Sequence, residues 1–270
     1  MVFTKTRPTP ISIGTRRRPE PGGRPGYIRV DTVRALNEPT WAGLSGDKLS
    51  LRLRSGSGDL DGVKGIYHIN MVDEVTEWEE LGAVQRISEN HLEPLLQRLL
   101  MRFPFRALGF HSENGSEFIN HRIAGMLNKP LIEQTKSRPR KSNDNGLVES
   151  KNGGVLRKHM GFDHIGSEHA DAINAFYEQY FNPYLNFHRP CAVPERTIDG
   201  KGKTVSTYKW YATPWEILRQ FPGLAGYLKD DATVEQMDKV AGADSDTGAA
   251  TKMRKAKQQL FASFEQRRIA

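Results

Sequence analysis

Cys191 is the only cysteine among 270 residues. A disulfide framework is therefore excluded, as is a zinc cluster of Cys/His spacing, and an intracellular setting is favoured. Long apolar runs are missing too. None approaches the roughly 18 residues needed to cross a bilayer, so no membrane partner is expected. The N-terminus lacks the apolar segment of a secretory signal. Acid is the scarcer charge: 32 Asp and Glu face 39 Lys and Arg, a net charge of +7. That balance points to a polyanionic partner.

The shortage of acid is sharpest at the start. Residues 1–26 hold five prolines, four glycines and six basic residues against Glu20 alone. This composition reads as a flexible basic arm or linker, either trailing along phosphates or simply solvated. After it, 27–33 reads as a strand. A long connection follows, with about twenty extra residues over 35–57, where Leu49–Arg54 alternates like an added strand. Strands are expected at 66–72 and 77–84. Ser88 starts a helix through Met101, striped by Leu92, Leu95, Leu96, Leu99 and Leu100. Strand 106–110, helix 119–127, strand 130–135, a loop over 137–146 and helices from Leu147 and over 170–181 come next. Three meander strands followed by two crossovers imply an α/β protein with a mixed five-stranded sheet flanked by helices. Residues 225–250 look loosely ordered, and 251–268 reads as a last helix, so 191–270 is expected to be a small, mostly helical C-terminal extension.

Three acids stand out within this order. Asp31 lies inside the apolar strand Tyr27–Val33, where an unpaired charge is expensive. Glu113 sits in His-Ser-Glu-Asn-Gly-Ser-Glu-Phe and Glu149 in Asn-Gly-Leu-Val-Glu-Ser-Lys-Asn, with 35 residues between them. Carboxylates far apart in sequence but converging in space are what a two-metal phosphoryl-transfer site needs.

These stretches resemble the catalytic core of the DDE transposase/integrase superfamily, specifically bacterial insertion-sequence transposases with a retroviral-integrase-like core. The likeness runs from about Gly26 to Leu218, with the core itself over 27–190. It includes Asn186-Phe187-His188-Arg189-Pro190 and Thr213-Pro214-Trp215-Glu216. The resemblance implies an RNase H-like fold, with Asp31, Glu113 and Glu149 as catalytic acids and metal ligands and Asn152 beside Glu149. It further implies two Mg²⁺ ions, with Mn²⁺ as a substitute, and DNA strand cleavage and transfer by a homo-oligomer on double-stranded element ends and target. The expected setting is the bacterial cytoplasm, associated with the nucleoid. Relatives carry helix-turn-helix modules ahead of the core; none is expected here, as in a truncated product.

One departure bears on activity. The family has Asp where this chain has Glu113, whose carboxylate reaches roughly an ångström further, while Mg²⁺ demands near-octahedral geometry. Two further readings stay open: a truncated or decayed transposase that binds DNA without cutting, and, more remotely, a stand-alone RNase H-like nuclease. Seven Lys/Arg crowd 136–158. Next to a catalytic acid they suggest phosphate contacts, with Lys151, Asn152, Arg157 and Lys158 foremost and Arg138, Arg140 and Lys141 next. Gly153-Gly154 weakens its helix and suggests close backbone approach. His111, Trp78 and Trp215 are expected to pack.

Overall fold

Alternation gives the central strands one oily face and one polar face. In the computed structural model, which describes residues 13–34, 65–141, 144–161, 163–198, 200 and 204–269, Ile28 and Val30 alternate with Arg29 and Asp31. Tyr67, Ile69 and Met71 alternate likewise with His68 and Asn70. The insertion expected over 35–57 lies outside the described residues.

Among those residues the main sheet contains β1 (Thr15–Arg16), β2 (Tyr27–Arg34), β3 (Tyr67–Asp73), β4 (Glu79–Val84), β5 (Gly109–Ser112) and β6 (Glu133–Lys136). Their order is β1-β6-β5-β2-β3-β4. β2, β3 and β4 form an antiparallel meander, and β2, β5, β6 and β1 pair in parallel. Without β1 this is the five-stranded RNase H-like order that the sequence predicts. β1 comes from the stretch expected to be a free arm, and Arg17 beside it pairs with Glu133 on β6.

The oily face packs under α1 (Glu89–Arg102) and α2 (His121–Asn128) through Leu92, Leu95, Leu96, Leu99, Ile123 and Leu127. Ser88 caps α1 by position, while Asn120 caps α2 with its side chain, accepting from the Ile123 N–H. On the other face lie two long helical rods. α3 runs from Gly146 through wide π-type turns at Asn152–Arg157 to Met160. α4 runs from Ala170 to His188. Val155, Leu156, Ile173, Phe176 and Phe181 form a second core there with Leu81 and Ala83.

Among the described residues, the outer edge of β4 has no neighbouring strand. Three asparagines of α4 take its place. Asn174, Asn182 and Asn186 each accept from and donate to the backbone of Ala83, Leu81 and Glu79 respectively, at 2.8–3.1 Å. Side-chain amides mimic a strand and satisfy groups that would otherwise be orphaned.

Beyond α4 a separate hairpin forms from β7 (Cys191–Ile198) and β8 (Thr204–Ala212). Then come α5 (Pro214–Arg219), α6 (Val234–Ala241) and α7 (Asp246–Ile269). Thr213-Pro-Trp-Glu is a capping box, and it seats Trp215 against Phe187, which packs on Trp78. The loose order expected over 225–250 is thus corrected. Thr233 and Gln236 make a second capping box that starts α6, and α7 begins five residues before Thr251.

Candidate active site

Parallel strands leave a crevice at their carboxyl ends, and the three acids collect there. Val30 of β2 pairs with Ser112 of β5, so Asp31 and Glu113, each one residue further on, stand side by side. Asn145 anchors the start of α3 by donating to the Val30 carbonyl at 3.4 Å, which brings Glu149 over the same strand ends. The loops between are tied. Asn114 donates to the Ser137 carbonyl at 3.0 Å. Arg138 grips Asp144 with two guanidinium nitrogens at 2.8 and 2.9 Å and with its backbone N–H at 3.0 Å. That grip holds the Asp144 carboxyl down at about 2.

The acids feel one another. Burial chiefly, and the charges of Glu113 and Glu149, push the Asp31 carboxyl up to about 7, against the pull of the Thr32 N–H at 2.8 Å and the Asn152 amide at 2.7 Å. Glu113 is also raised, by desolvation first and then by Glu149, with whose carboxyl it shares a hydrogen bond. Two carboxyls can meet in that way only with a proton between them, or a cation in its place. Among the described residues, no group of three or more His, Cys, Asp or Glu stands as a preformed metal cage. The acids are neighbours rather than a closed ligand set.

The expected phosphate contacts divide. Val148, Lys151, Asn152 and Val155 all face inward from α3, at the i, i+3, i+4, i+7 spacing of a buried stripe. Lys151 is 10% exposed and meets Glu77 at 2.9 Å, Cys191 Sγ at 3.0 Å and Glu79 at 4.0 Å. Burial opposes its charge, but the carboxylates of Glu79 and Glu77 outweigh it and hold its pKa above the usual lysine value. A side chain so engaged has no reach to DNA, and Lys151 is withdrawn from that role. Asn152, also buried, bonds Asp31 and Asn70. Lys158, Arg140 and Lys141 are exposed, Arg138 is exposed but engaged by Asp144, and Arg157 is half-buried. His111 is a packing residue: it bonds Thr135 and Ser137, and burial together with nearby Arg29 lowers it to about 4.

Gly153 and Gly154 are exposed, and a methyl group on either would meet nothing within 4 Å. The close approach expected from the glycine pair is not made by the described part of the chain itself. Sequence reading missed Asn70, Glu77 and Glu79, which sit behind the acids on β3 and at the start of β4. Their partners are remote in sequence; the signal that could have found them is Val148 and Val155, which share one face of the helix with Lys151 and Asn152.

No protein-family model matches the chain. An uncharacterized protein of Sinorhizobium fredii, y4rM, is 26% identical over 155 residues, which are 57% of this chain and 38% of that protein. The chain thus spans well under half the length of that relative. Among solved structures, the catalytic core domain of BIV integrase is similar with a TM-score of 0.38 and 16% identity, covering 61% of this chain and 85% of that one. A simian T-cell lymphotropic virus intasome in complex with a PP2A regulatory subunit is similar with a TM-score of 0.45 and 14% identity, covering 82% and 62%. The fold assignment rests on the strand order of the chain itself.

Proposed function

We propose that this chain carries a metal-dependent polynucleotidyl transferase core of the transposase kind, which cuts DNA strands and joins the freed 3′ ends to target DNA. The observation that supports this reading is the meeting of Asp31, Glu113 and Glu149 at the carboxyl ends of parallel strands in a sheet of RNase H-like order. Carboxylate oxygens are the donors that hard divalent ions take. The charges of Glu113 and Glu149 raise Asp31, and that of Glu149 raises Glu113, as negative charges gathered at one place do. In donor chemistry and electrostatics the residues therefore fit Mg²⁺, with Mn²⁺ as a substitute. Asp31, Glu113 and Glu149 are the residues that would hold the ions. Such ions, when bound, supply Lewis-acid polarisation and charge stabilisation at a phosphodiester.

The chain's own residues orient and steer. Asn152 and the Thr32 N–H hold the two oxygens of Asp31 in place. Exposed Arg140, Lys141 and Lys158 attract the DNA backbone, with Arg138 and Arg157 at their margin. The bare backbone at Gly153-Gly154 leaves room for a phosphate to come close. No Ser, Tyr or Cys nucleophile is required. Joining two element ends calls for more than one copy on the DNA.

A second reading is a transposase remnant that binds DNA without cutting. It is favoured by the Glu113–Glu149 contact, because Asp at 113 would stop roughly an ångström shorter and leave a gap for an ion. Nicking of supercoiled plasmid in Mg²⁺ and in Mn²⁺ distinguishes the two. The enzyme reading expects nicking by the unmodified chain and none by Glu149→Gln. Nicking by Glu113→Asp alone would mark a crippled copy, and DNA binding without nicking by any of them would mark a remnant.

A further inference from the structure

Asn70 stands directly opposite Asp31 in the β2–β3 ladder, so both side chains leave the same face of the sheet. Asn152 reaches down between them from α3. The Asn70 amide nitrogen donates to Glu79 Oε1 at 3.0 Å and to Asn152 Oδ1 at 2.9 Å. The Asn152 amide nitrogen donates in turn to Asp31 Oδ2 at 2.7 Å. Behind Glu79 stands Lys151, and Glu79 is fully packed away from water.

Such a chain has a direction. An amide offers hydrogens at one end and only lone pairs at the other. Glu79, held next to Lys151, presents a carboxylate acceptor, which takes one hydrogen of Asn70. The second goes to the oxygen of Asn152, and only the NH₂ end of Asn152 is then left to face Asp31. Reversing Asn70 would set oxygen against oxygen at both Glu79 and Asn152, and reversing Asn152 would set oxygen against oxygen at Asp31 and N–H against N–H at Asn70. The arrangement has a cost: with both hydrogens used, Asn70 Oδ1 is buried without a hydrogen-bond partner among the described residues. A buried orphan oxygen beside an acidic cluster is the kind of defect that persists where orientation matters more than stability.

We infer that Asn70 is a positioning residue, which fixes the direction of the Asn152 amide and thereby holds the Asp31 carboxylate in one orientation. The inference rests on the reading of Asp31 as a catalytic acid. Asn70 touches neither DNA nor a reacting atom. Its effect passes through Asn152, as partners behind a ligand set the aim of that ligand.

The test uses the whole chain and two readouts. One is the rate of Mn²⁺-dependent plasmid nicking at saturating protein, with DNA affinity measured alongside. The other is the exchange rate of the Asn152 side-chain amide protons by NMR, assigned from their disappearance in Asn152→Asp and recorded without metal. Asn70→Leu keeps the volume and removes the donor. Its nicking rate should fall roughly 10–100-fold at unchanged DNA affinity, and the Asn152 amide should lose its protection while neighbouring backbone amides keep theirs. Asn70→Thr, which restores a donor toward Asn152, should recover most of both. Unchanged nicking and unchanged amide exchange in Asn70→Leu would overturn the inference. So would a loss of rate that Asn70→Thr does not recover. If the unmodified chain does not nick at all, the enzyme reading fails and the amide signal alone judges Asn70: retained protection in Asn70→Leu overturns the inference, lost protection supports it. If Asn70→Leu does not fold, Asn70→Ala supplies the same two readouts.

Discussion

Lys151→Met should weaken the fold and leave DNA binding alone. The substitution keeps most of the length of the side chain and removes the ammonium, with its charge and the hydrogen bonds it donates to Glu77 and Cys191. What remains is Glu79, 2% exposed, and Glu77, 11% exposed, with no ammonium between them. Breaking a buried pair by deleting one partner costs about 3–5 kcal/mol. Two features favour the low end of that range: Glu79 keeps its bond from Asn70, and Glu79 can take up a proton, since burial already raises its pKa despite Lys151. We expect a loss of about 3 kcal/mol at pH 8. With a urea slope of about 3 kcal/mol/M for a chain of this size, the unfolding midpoint falls by about 1 M. The sign with pH is fixed by Glu79. An acid whose native pKa lies above its unfolded value loses stability as pH rises through the interval between them, and removing Lys151 widens that interval. The loss is therefore larger at pH 8 than at pH 5. Under folding conditions the salt dependence of DNA binding should keep its slope, whereas deleting a true phosphate contact would lower that slope by about 1. A variant that unfolds like the parent but loses that unit of slope would make Lys151 a phosphate contact and not the buried partner of Glu77 and Glu79.

Other outcomes follow from the same geometry. The Asp31 carboxyl, raised from 3.8 to about 7, should cost the metal-free protein up to about 4 kcal/mol as pH climbs through that window, at 1.36 kcal/mol per unit. Asp31→Asn removes the cost and loses about 1 kcal/mol of hydrogen bonding, so it should be the more stable protein at pH 8 and lose the advantage near pH 4, by urea unfolding at both. Gly26 has φ +109° and its added Cβ would lie 2.4 Å from the Arg106 carbonyl oxygen; Gly26→Ala should cost about 3 kcal/mol in thermal unfolding. Gly153→Ala with Gly154→Ala should stabilise the free protein by up to about 1 kcal/mol per site, and should weaken DNA binding if a phosphate uses the bare backbone.

Much of the fold was legible because alternation in 27–33 and 66–72 and the leucine stripe of 92–100 report local geometry directly. Element ends drifted by two or three residues: the strand expected over 106–110 lies at Gly109–Ser112. The three acids were legible from their surroundings in sequence, and the structure does bring them together. What supports them was not. Lys151 looks like one of seven cations in a basic stretch, and only its place on the inward stripe of α3 separates it from Lys158, seven residues on and exposed. Glu77, Glu79 and Glu80 fall within the strand expected over 77–84, but nothing local points to their partners, because Lys151 and Arg102 lie some 22 to 74 residues away. The asparagines that seal β4 carry no local signal either, because a side chain standing in for a strand is recognised only across the packed interface.

Whether Asp31, Glu113 and Glu149 hold metal is decided by Mn²⁺ binding to the intact chain in the presence of DNA, counted per protein at pH 8. Two ions should bind saturably, with loss of at least one in Asp31→Asn, in Glu149→Gln and in Glu113→Ala. Binding that is absent, or that survives all three substitutions unchanged, would contradict a metal site built on these acids.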